Sequence, residues 1–381
     1  MDVLVALCKV PNTIVSAEAL LEQCWGSTLY GDNPAHKVIT QLRRLLGDQA
    51  SNPSFIETIR KRGYRVIASV EFDAPGTSQE GTWLEESPFR GLQAFDEKHA
   101  KIFFGRNDAV FGLTKVLLAQ INLPDPVELI MILGPSGSGK TSLVQAGLLP
   151  TLINPAPRAL AASEQAGAIS SLQLLSHSGF DLAEKGEHSL LNTLSGMLLD
   201  LEVAQHPVFP GYSANSLAQQ LQQDPAPVLA LLQDSLRHQV AAAPQIAQRH
   251  VLFIDRFEAV FDEKTVSQAE HLQFLTILEQ LASTRALLIL LACRNDFYPY
   301  IAANPVLMAG KARGAHFDLA PPSQAEIAQM IRLPALAARL TFGFDESSQM
   351  QLDALLCQSA NGSPDALPLL QYTLSELYRL R

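Results

Sequence analysis

Eight consecutive residues constrain this chain more than any others. Gly134-Pro-Ser-Gly-Ser-Gly-Lys-Thr141 has the spacing G-x-x-x-x-G-K-[ST]. Phosphate chemistry explains the residue types. Glycines at 134, 137 and 139 let consecutive backbone N–H groups turn inward and cradle phosphate oxygens. Lys140 is placed to reach the β- and γ-phosphates, and Thr141 to offer its hydroxyl to Mg²⁺. Ser136, Ser138 and Ser142 complete the candidate cradle. The flanks agree with this reading. Residues 127–133 form an apolar run with the length of a buried strand, and 141–149 reads as a helix whose N-terminus faces the anion. A flexible Gly/Ser turn is the alternative; a strand before and a helix after favour nucleotide binding.

Downstream, His250-Val-Leu-Phe-Ile-Asp255 is a second apolar strand ending in an acid. A carboxylate at the C-terminal edge of a parallel strand beside the phosphate loop can hold Mg²⁺ through water. Thr141 and Asp255 are therefore the expected metal ligands. Arg256 follows, where many ATPases carry an acidic base. A third strand, 286–294, ends in Arg294. Residues 155–250 say less: 168–175 reads as a strand, and helical spacing recurs over 189–201 and 216–240.

Composition bounds the partners. A length of 381 residues implies two or three domains, and the net charge of −10 marks no overall nucleic-acid binder. The first seventy residues, however, hold eight Lys/Arg against six acids, +2, leaving −12 for the remainder. All of those cations except Lys9 fall between positions 37 and 65, which predicts a basic contact domain on an acidic body. The four cysteines are far apart and show no metal spacing, so they read as buried reduced thiols of a cytoplasmic protein. No signal peptide opens the chain and no apolar run reaches the roughly 18 residues of a membrane span, so no membrane is expected among the partners.

Within the basic domain, 15–25 reads as a helix with Ser16 as N-cap, and 33–46 as a second with Pro34 at its first position and Gly47 past its end. Val38, Leu42 and Leu45/Leu46 would face the core, leaving Lys37, Gln41 and Arg44 on a groove-reading face. Residues 55–67 read as two short strands turning at Lys61-Arg62-Gly63. These stretches, 15–21, 39–48 and 55–65, closely resemble the OmpR/PhoB-type winged helix-turn-helix effector domain of response regulators. The resemblance implies a recognition helix over 34–46 with Lys37, Thr40, Gln41 and Arg44 toward DNA, and a wing, Arg60, Lys61 and Arg62, on phosphates or the minor groove. That family's domains open with a β-platform before the first helix, and this sequence starts inside the helix, so a truncated platform is expected.

A polar joint over 71–88 leads into the stretch 87–106, which ends in Phe103-Phe-Gly-Arg106. With the phosphate loop and 143–152, this stretch closely resembles the novel STAND NTPases, signal-transduction P-loop ATPases of AAA-like type. The family's h-h-G-R-E-x-E motif falls on 103–109, which implies nucleotide contacts by Gly105 and Arg106; Asn107 and Ala109 stand where it has glutamates. The resemblance further implies Glu258 as orienter of the attacking water, Arg294 as the arginine that senses the γ-phosphate, and Pro368 as the lid proline that packs on adenine. On physics alone Glu258 could be a helix-start acid, Arg294 a salt-bridge partner of Asp296 or Glu258, and Pro368 the proline that starts the last helix.

The expected fold is α/β: a small α+β winged-helix domain (1–70), the joint (71–88), a P-loop NTPase core with a parallel sheet (89–318) and an α-helical lid (319–381). The expected function is an ATP-dependent, signal-responsive transcriptional regulator with slow ATP hydrolysis. ATP or ADP and Mg²⁺ are its cofactors and DNA its partner. Homo-oligomerisation on activation and a C-terminal sensor or repeat domain beyond this sequence are what the resemblance adds. The alternative is a defence-type STAND ATPase whose winged helix is a protein-interaction adaptor.

Overall fold

The computed structural model describes all residues except 1, 9–12, 26–33, 47, 49–52, 60–61, 69–82, 84–85, 125, 154–171, 241–246, 346–349 and 361–365. The chain divides into two compact units, Met1–Glu80 and Gly81–Arg381.

In the first unit, helices α1 (Asp2–Cys8), α2 (Ala17–Trp25) and α3 (Pro34–Leu46) precede an antiparallel hairpin of β1 (Ile56–Ile59) and β2 (Gly63–Val66). Val15 bridges Tyr64 as a third strand fragment. Gly63 sits at φ +133 against the Val15 carbonyl, where a side chain has no room, so the hairpin requires glycine there. Leu7, Leu20, Ile39, Leu42, Ile56 and Tyr64 form the core. Of the expected stripe on α3, Leu42 is buried and Val38 packs half-buried on the core, Leu46 is exposed and the Leu45 side chain lies outside the described residues; Ala35 and Ile39 extend the inward face. The physical reason for the difference is Arg43, which takes a buried slot. It donates to Ile56 O (2.6 Å) and Thr58 Oγ1 (2.9 Å) and faces Asp48. Burial pushes the Asp48 carboxyl up, but the N–H groups of Ile56, Ser54 and Phe55 and the Arg43 charge outweigh it and hold the pKa below the usual value.

The second unit is built on five parallel strands: β3 (Leu129–Gly134), β4 (Leu172–Asp181), β5 (Ala247–Asp255), β6 (Leu287–Arg294) and β7 (His316–Asp318), in the order β4-β5-β6-β3-β7. Strands buried on both faces read as unbroken apolar runs, and β3, β6 and the Val251–Ile254 half of β5 do. Leu129, Met131, Leu133, Leu252 and Leu291 point to one face, packing on α5 (Leu190–Leu199) and α6 (Gln268–Ala282). Ile130, Ile132, Val251 and Leu290 point to the other, against α4 (Asn107–Ile121) and the helix after the phosphate loop. That helix runs on to Ile153, past the expected end, with a π-helical stretch over Leu143–Leu148; the widened turn comes just before Pro150, which has no N–H to donate.

One expectation changes. The strand expected over 168–175 lies at Leu172–Asp181, and 168–171 fall outside the described residues. Strand β7 had no signal, being three residues long. In the sheet, β6 is inserted between β5 and β3.

Three helices close the unit: α7 (Gln324–Ala337), α8 (Leu352–Ser359) and α9 (Ala366–Leu380). They share a separate core of Ile327, Ile331, Leu370 and Leu374, plugged by Phe89. Most of the expected joint lies outside the described residues. Its end is packed, with Trp83 N donating to Ala337 O (2.9 Å) and its ring 5.6 Å from that of His99. No helix among the described residues is long and apolar enough to cross a membrane.

Candidate functional site

Ordered strands converge on the phosphate loop from below, and the three-helix lid faces it from above. Between them lies a cavity of about 600 Å³. Its charged end is lined by Lys140, Thr141, Asp181, Asp255, Arg256, Glu258 and Arg294; its apolar end by Ile102, Phe103, Phe104, Met330, Pro334 and Leu367. A triphosphate with a flat, weakly polar base has this polarity.

The loop's strained geometry is where the glycines stand. Gly137 and Gly139 have φ +71 and +88, and Gly139 opens the helix as its N-cap. A Cβ on Gly134 would come 2.8 Å from Ser138 Oγ. Ser138 is buried and its hydroxyl has no hydrogen-bond partner. Ser136 lines the cavity. Ser142 Oγ accepts from Phe95 N (3.0 Å), which ties the N-terminal strap to the loop. Lys140 Nζ donates to the Gly134 and Pro135 carbonyls (both 2.9 Å). Burial lowers its pKa, against the pull of Glu258 and Asp255.

Although β5 is two strands from β3, the two residues expected from the sequence to hold Mg²⁺ meet: Thr141 Oγ1 donates to Asp255 Oδ2 at 2.5 Å. Burial raises the Asp255 pKa, and the Thr141 hydroxyl and Arg256 N–H (2.9 Å) work against it. The hydroxyl and carboxylate are hard oxygen donors, the set Mg²⁺ takes.

Arg256 has φ +45, a left-handed conformation uncommon for a side-chain-bearing residue. Its guanidinium pairs with Asp181, with Nε 2.6 Å from both carboxylate oxygens, and approaches Glu184. The Asp181 hydrogen bond raises its pKa. Asp181 ends β4 in register with Asp255. Sequence reading missed it because β4 is the sheet edge: its polar interruptions at Ser176, His177 and Ser178 break the apolar run that marked the other strands.

Glu258 Oε2 accepts from Arg294 N (3.2 Å), which holds the acid at the end of β6. Arg294 itself pairs with Asp296 (Nε–Oδ1 3.0 Å) over the Phe297 ring, and Asp296 raises its pKa. Between them, burial pushes the Cys293 thiol up to about 12, so it stays protonated.

The lid meets the loop at two places. Pro368, third residue of α9, brings its Cγ to 2.5 Å from where a Gly137 Cβ would stand. It is both a first-turn proline and a contact of the phosphate loop. Arg106, buried, donates to Ser138 O and Ala320 O (both 3.1 Å), joining loop and lid entry; burial lowers its pKa, with Glu326 opposing. Gly105, at φ +77, packs on Glu326 O and Met330, where no side chain fits. Met330, Pro334, Leu367 and Gln371 also line the cavity, and none was singled out from the sequence, because nothing local distinguishes a cavity-facing helix residue from a core one.

On the first unit, Lys37, Thr40 and Gln41 are exposed on α3, and Arg62 on the hairpin turn. Thr40 Oγ1 donates to His36 O (2.9 Å). Arg44 lies in α3, its side chain outside the described residues, as are Arg60 and Lys61. Arg65 is held by Glu57 (2.6 Å), so the cations available to a partner are fewer than the sequence count.

The family model "Novel STAND NTPase 1" matches residues 88–381, and "Transcriptional regulatory protein, C terminal" matches residues 1–66. Transcriptional regulatory protein YvrH of Bacillus subtilis is 38% identical over 72 residues, 19% of this chain and 30% of that protein. The cholera toxin homolog transcriptional activator of Vibrio parahaemolyticus is 31% identical over 88 residues, 23% of this chain and 30% of that protein. The chain thus spans about 30% of the curated relatives it matches. Among solved structures, the Aeropyrum pernix Orc1 protein in complex with DNA aligns at TM-score 0.41 and 13% identity, covering 73% of this chain and 62% of that one. Domain III of the Thermotoga maritima replication initiation protein DnaA aligns at 0.38 and 12%, covering 72% and 84%.

Proposed function

We propose, from the premise that the chain belongs to the novel STAND NTPase family across residues 88–381 and carries a response-regulator-type DNA-binding domain ahead of it, that it is an ATPase-linked transcriptional regulator in which nucleotide acts as the switch. The observation that carries the reading is the Thr141–Asp255 contact at 2.5 Å, with Lys140 alongside and the lid proline on Gly137. Residues 134 and 136–142 cradle the phosphates of ATP or ADP, with Gly105, Arg106 and Pro368 joining loop to lid around the nucleotide. Thr141 and Asp255 hold Mg²⁺, which supplies charge neutralisation to the phosphates. Glu258, anchored by Arg294 N, orients water, and Arg294 exchanges Asp296 for the γ-phosphate. Arg256 stands where an acidic base would speed hydrolysis, so turnover is slow, as suits a switch. DNA is held by Lys37, Thr40, Gln41 and Arg44 of α3 and by the Arg60–Arg62 wing.

Two measurements test this. Lys140→Ala weakens ATP binding at least about a hundredfold while Glu258→Gln keeps binding and slows phosphate release, read by calorimetry and a phosphate assay. A lysine variant with full affinity sinks the site assignment. In a gel shift at about 50 mM salt, duplex DNA is retarded, more weakly as salt rises, and Arg44→Ala with Arg62→Ala weakens it further. No retardation with or without ATP sinks the DNA output and leaves the winged helix as a protein adaptor.

A further inference from the structure

The apolar wall of the cavity has an outer side, and a residue of the joint packs on it. Trp83 is the third residue of the second unit, which Gly81 opens. It packs against Phe95, Ile102 and Ala146, beside Phe103 and Phe104. Four of these, Phe95, Ile102, Phe103 and Phe104, also line the cavity, so Trp83 and a cavity occupant share one wall. Trp83 grips two bodies. Its N–H donates to the carbonyl of Ala337, the last residue of α7, a helix end that has no donor of its own. Its ring lies 5.6 Å from that of His99, which Asp96 holds (Nδ1–Oδ1 2.6 Å). The stretch that follows Trp83 repeats the pattern. Phe89 is sunk in the lid core, and Phe95 N is fixed on Ser142 Oγ of the phosphate loop. The six residues from Phe89 to Phe95 span at most about 20 Å, so little slack separates the two attachments. The grip also has a cost, since the Trp83 indole N–H is buried without an acceptor.

We propose that Trp83 is a latch whose hold depends on which nucleotide fills the cavity, and that its release is how the site acts on the joint to the first unit. The inference rests on the nucleotide-switch reading and adds the residue that carries its output. A residue fastened to two bodies must let go of one when they part. Lid and loop meet where Pro368 reaches Gly137 and where Arg106 bonds Ser138 O and Ala320 O. An occupant that displaces the lid there draws Ala337 away from the ring that His99 keeps against the core. A ligand shifts such a pair of positions only by its differential affinity for them, and the γ-phosphate is the difference between ATP and ADP.

The chain has two tryptophans, so Trp25→Phe leaves Trp83 as the sole reporter in the full-length protein. Its acrylamide quenching is read with Mg²⁺-ADP and with Mg²⁺-ATP, while calorimetry measures the binding of each. Quenching differs at least about twofold between the two complexes. The second measurement is the ratio of DNA affinities in ATP and in ADP, about fivefold or more away from one in the wild type. Trp83→Ala binds both nucleotides within about twofold of the wild type and brings that ratio to one. Trp83→Phe keeps the ring packing and keeps the ratio. A purely structural role would instead lower nucleotide affinity and leave the ratio in place. Equal quenching in two complexes that calorimetry shows to be formed, or a Trp83→Ala variant that keeps the ratio, overturns the inference. Lys140→Ala that binds ATP normally overturns the site reading beneath it. A Trp83 that responds to nucleotide while wild-type DNA affinity does not upholds the latch and overturns the DNA output.

Discussion

The same parallel sheet carries charge at both ends and treats it in opposite ways. At the start of the strands, Glu128 is fully buried and takes a two-pronged contact from Arg249, Nε–Oε2 2.6 Å and Nη2–Oε1 2.8 Å. Next along β5, His250 lies between Ser176 Oγ (2.8 Å) and Ser235 Oγ (3.0 Å). Glu128, Arg249 and His250 each have a partner on another element. At the C-terminal ends, six residues further along β5, Asp255, Arg256 and Asp181 line the cavity with Lys140 and Arg294. Their partners there are half-exposed: Arg256 on Asp181 of the neighbouring strand, Arg294 on Asp296 two residues on. A charge in a low-dielectric interior must be compensated. Compensation by a buried, bidentate side chain yields a clamp; compensation by exposed neighbours yields groups that a polyanion can recruit.

The contrast is sharpest in mutational cost. Glu128→Ala strands the Arg249 guanidinium and is expected to destabilise the second unit by about 3–5 kcal/mol in urea unfolding, whereas replacing both by methionine costs little. Next in size is a pH effect. Burial lowers the His250 pKa from 6.5 to about 4, so the unfolded chain binds that proton more readily. The contribution is complete above pH 6.5 and is lost as pH falls toward 4, about 3 kcal/mol in total. Unfolding followed across that window should show the slope in the wild type and a flatter one in His250→Gln. The smallest effect belongs to the top of the sheet: Arg256→Ala should change stability by under about 1 kcal/mol, since its pair is half-exposed. A cost comparable to that of Arg249→Ala would mean that both ends are clamps, and the contrast would collapse.

How much of this was written in the chain depends on whether a feature is local. The phosphate loop needs glycines at fixed offsets after a strand, and the residues 134–141 supply them within eight positions. Strands β3 and β6 and the Val251–Ile254 half of β5 announced themselves because burial on both faces demands unbroken apolar runs, and the last residues of β5 and β6, Asp255 and Arg294, line the cavity. The edge strand β4, free of that demand, carried no such signature, and Asp181 went unseen with it. On α3 the expected stripe erred at Leu46, which is exposed, and missed buried Arg43, because a periodicity argument assigns arginine to water while Arg43 finds its acceptors in the hairpin.

The sequence by itself determined the two kinds of domain, the phosphate-loop pattern and the candidate pair Thr141 and Asp255 that meets beside it. Only the tertiary structure decided that β6 separates β5 from β3, that Arg256 is matched to Asp181, that Pro368 rests on Gly137, and that Gln371 and Pro334 line the cavity. The reason is physical. Turn chemistry and apolar periodicity act over a few residues and leave a trace in order and spacing. Strand order and cavity lining are settled by contacts between residues a hundred or more positions apart, such as Thr141 with Asp255, where many sequences satisfy the same local rules.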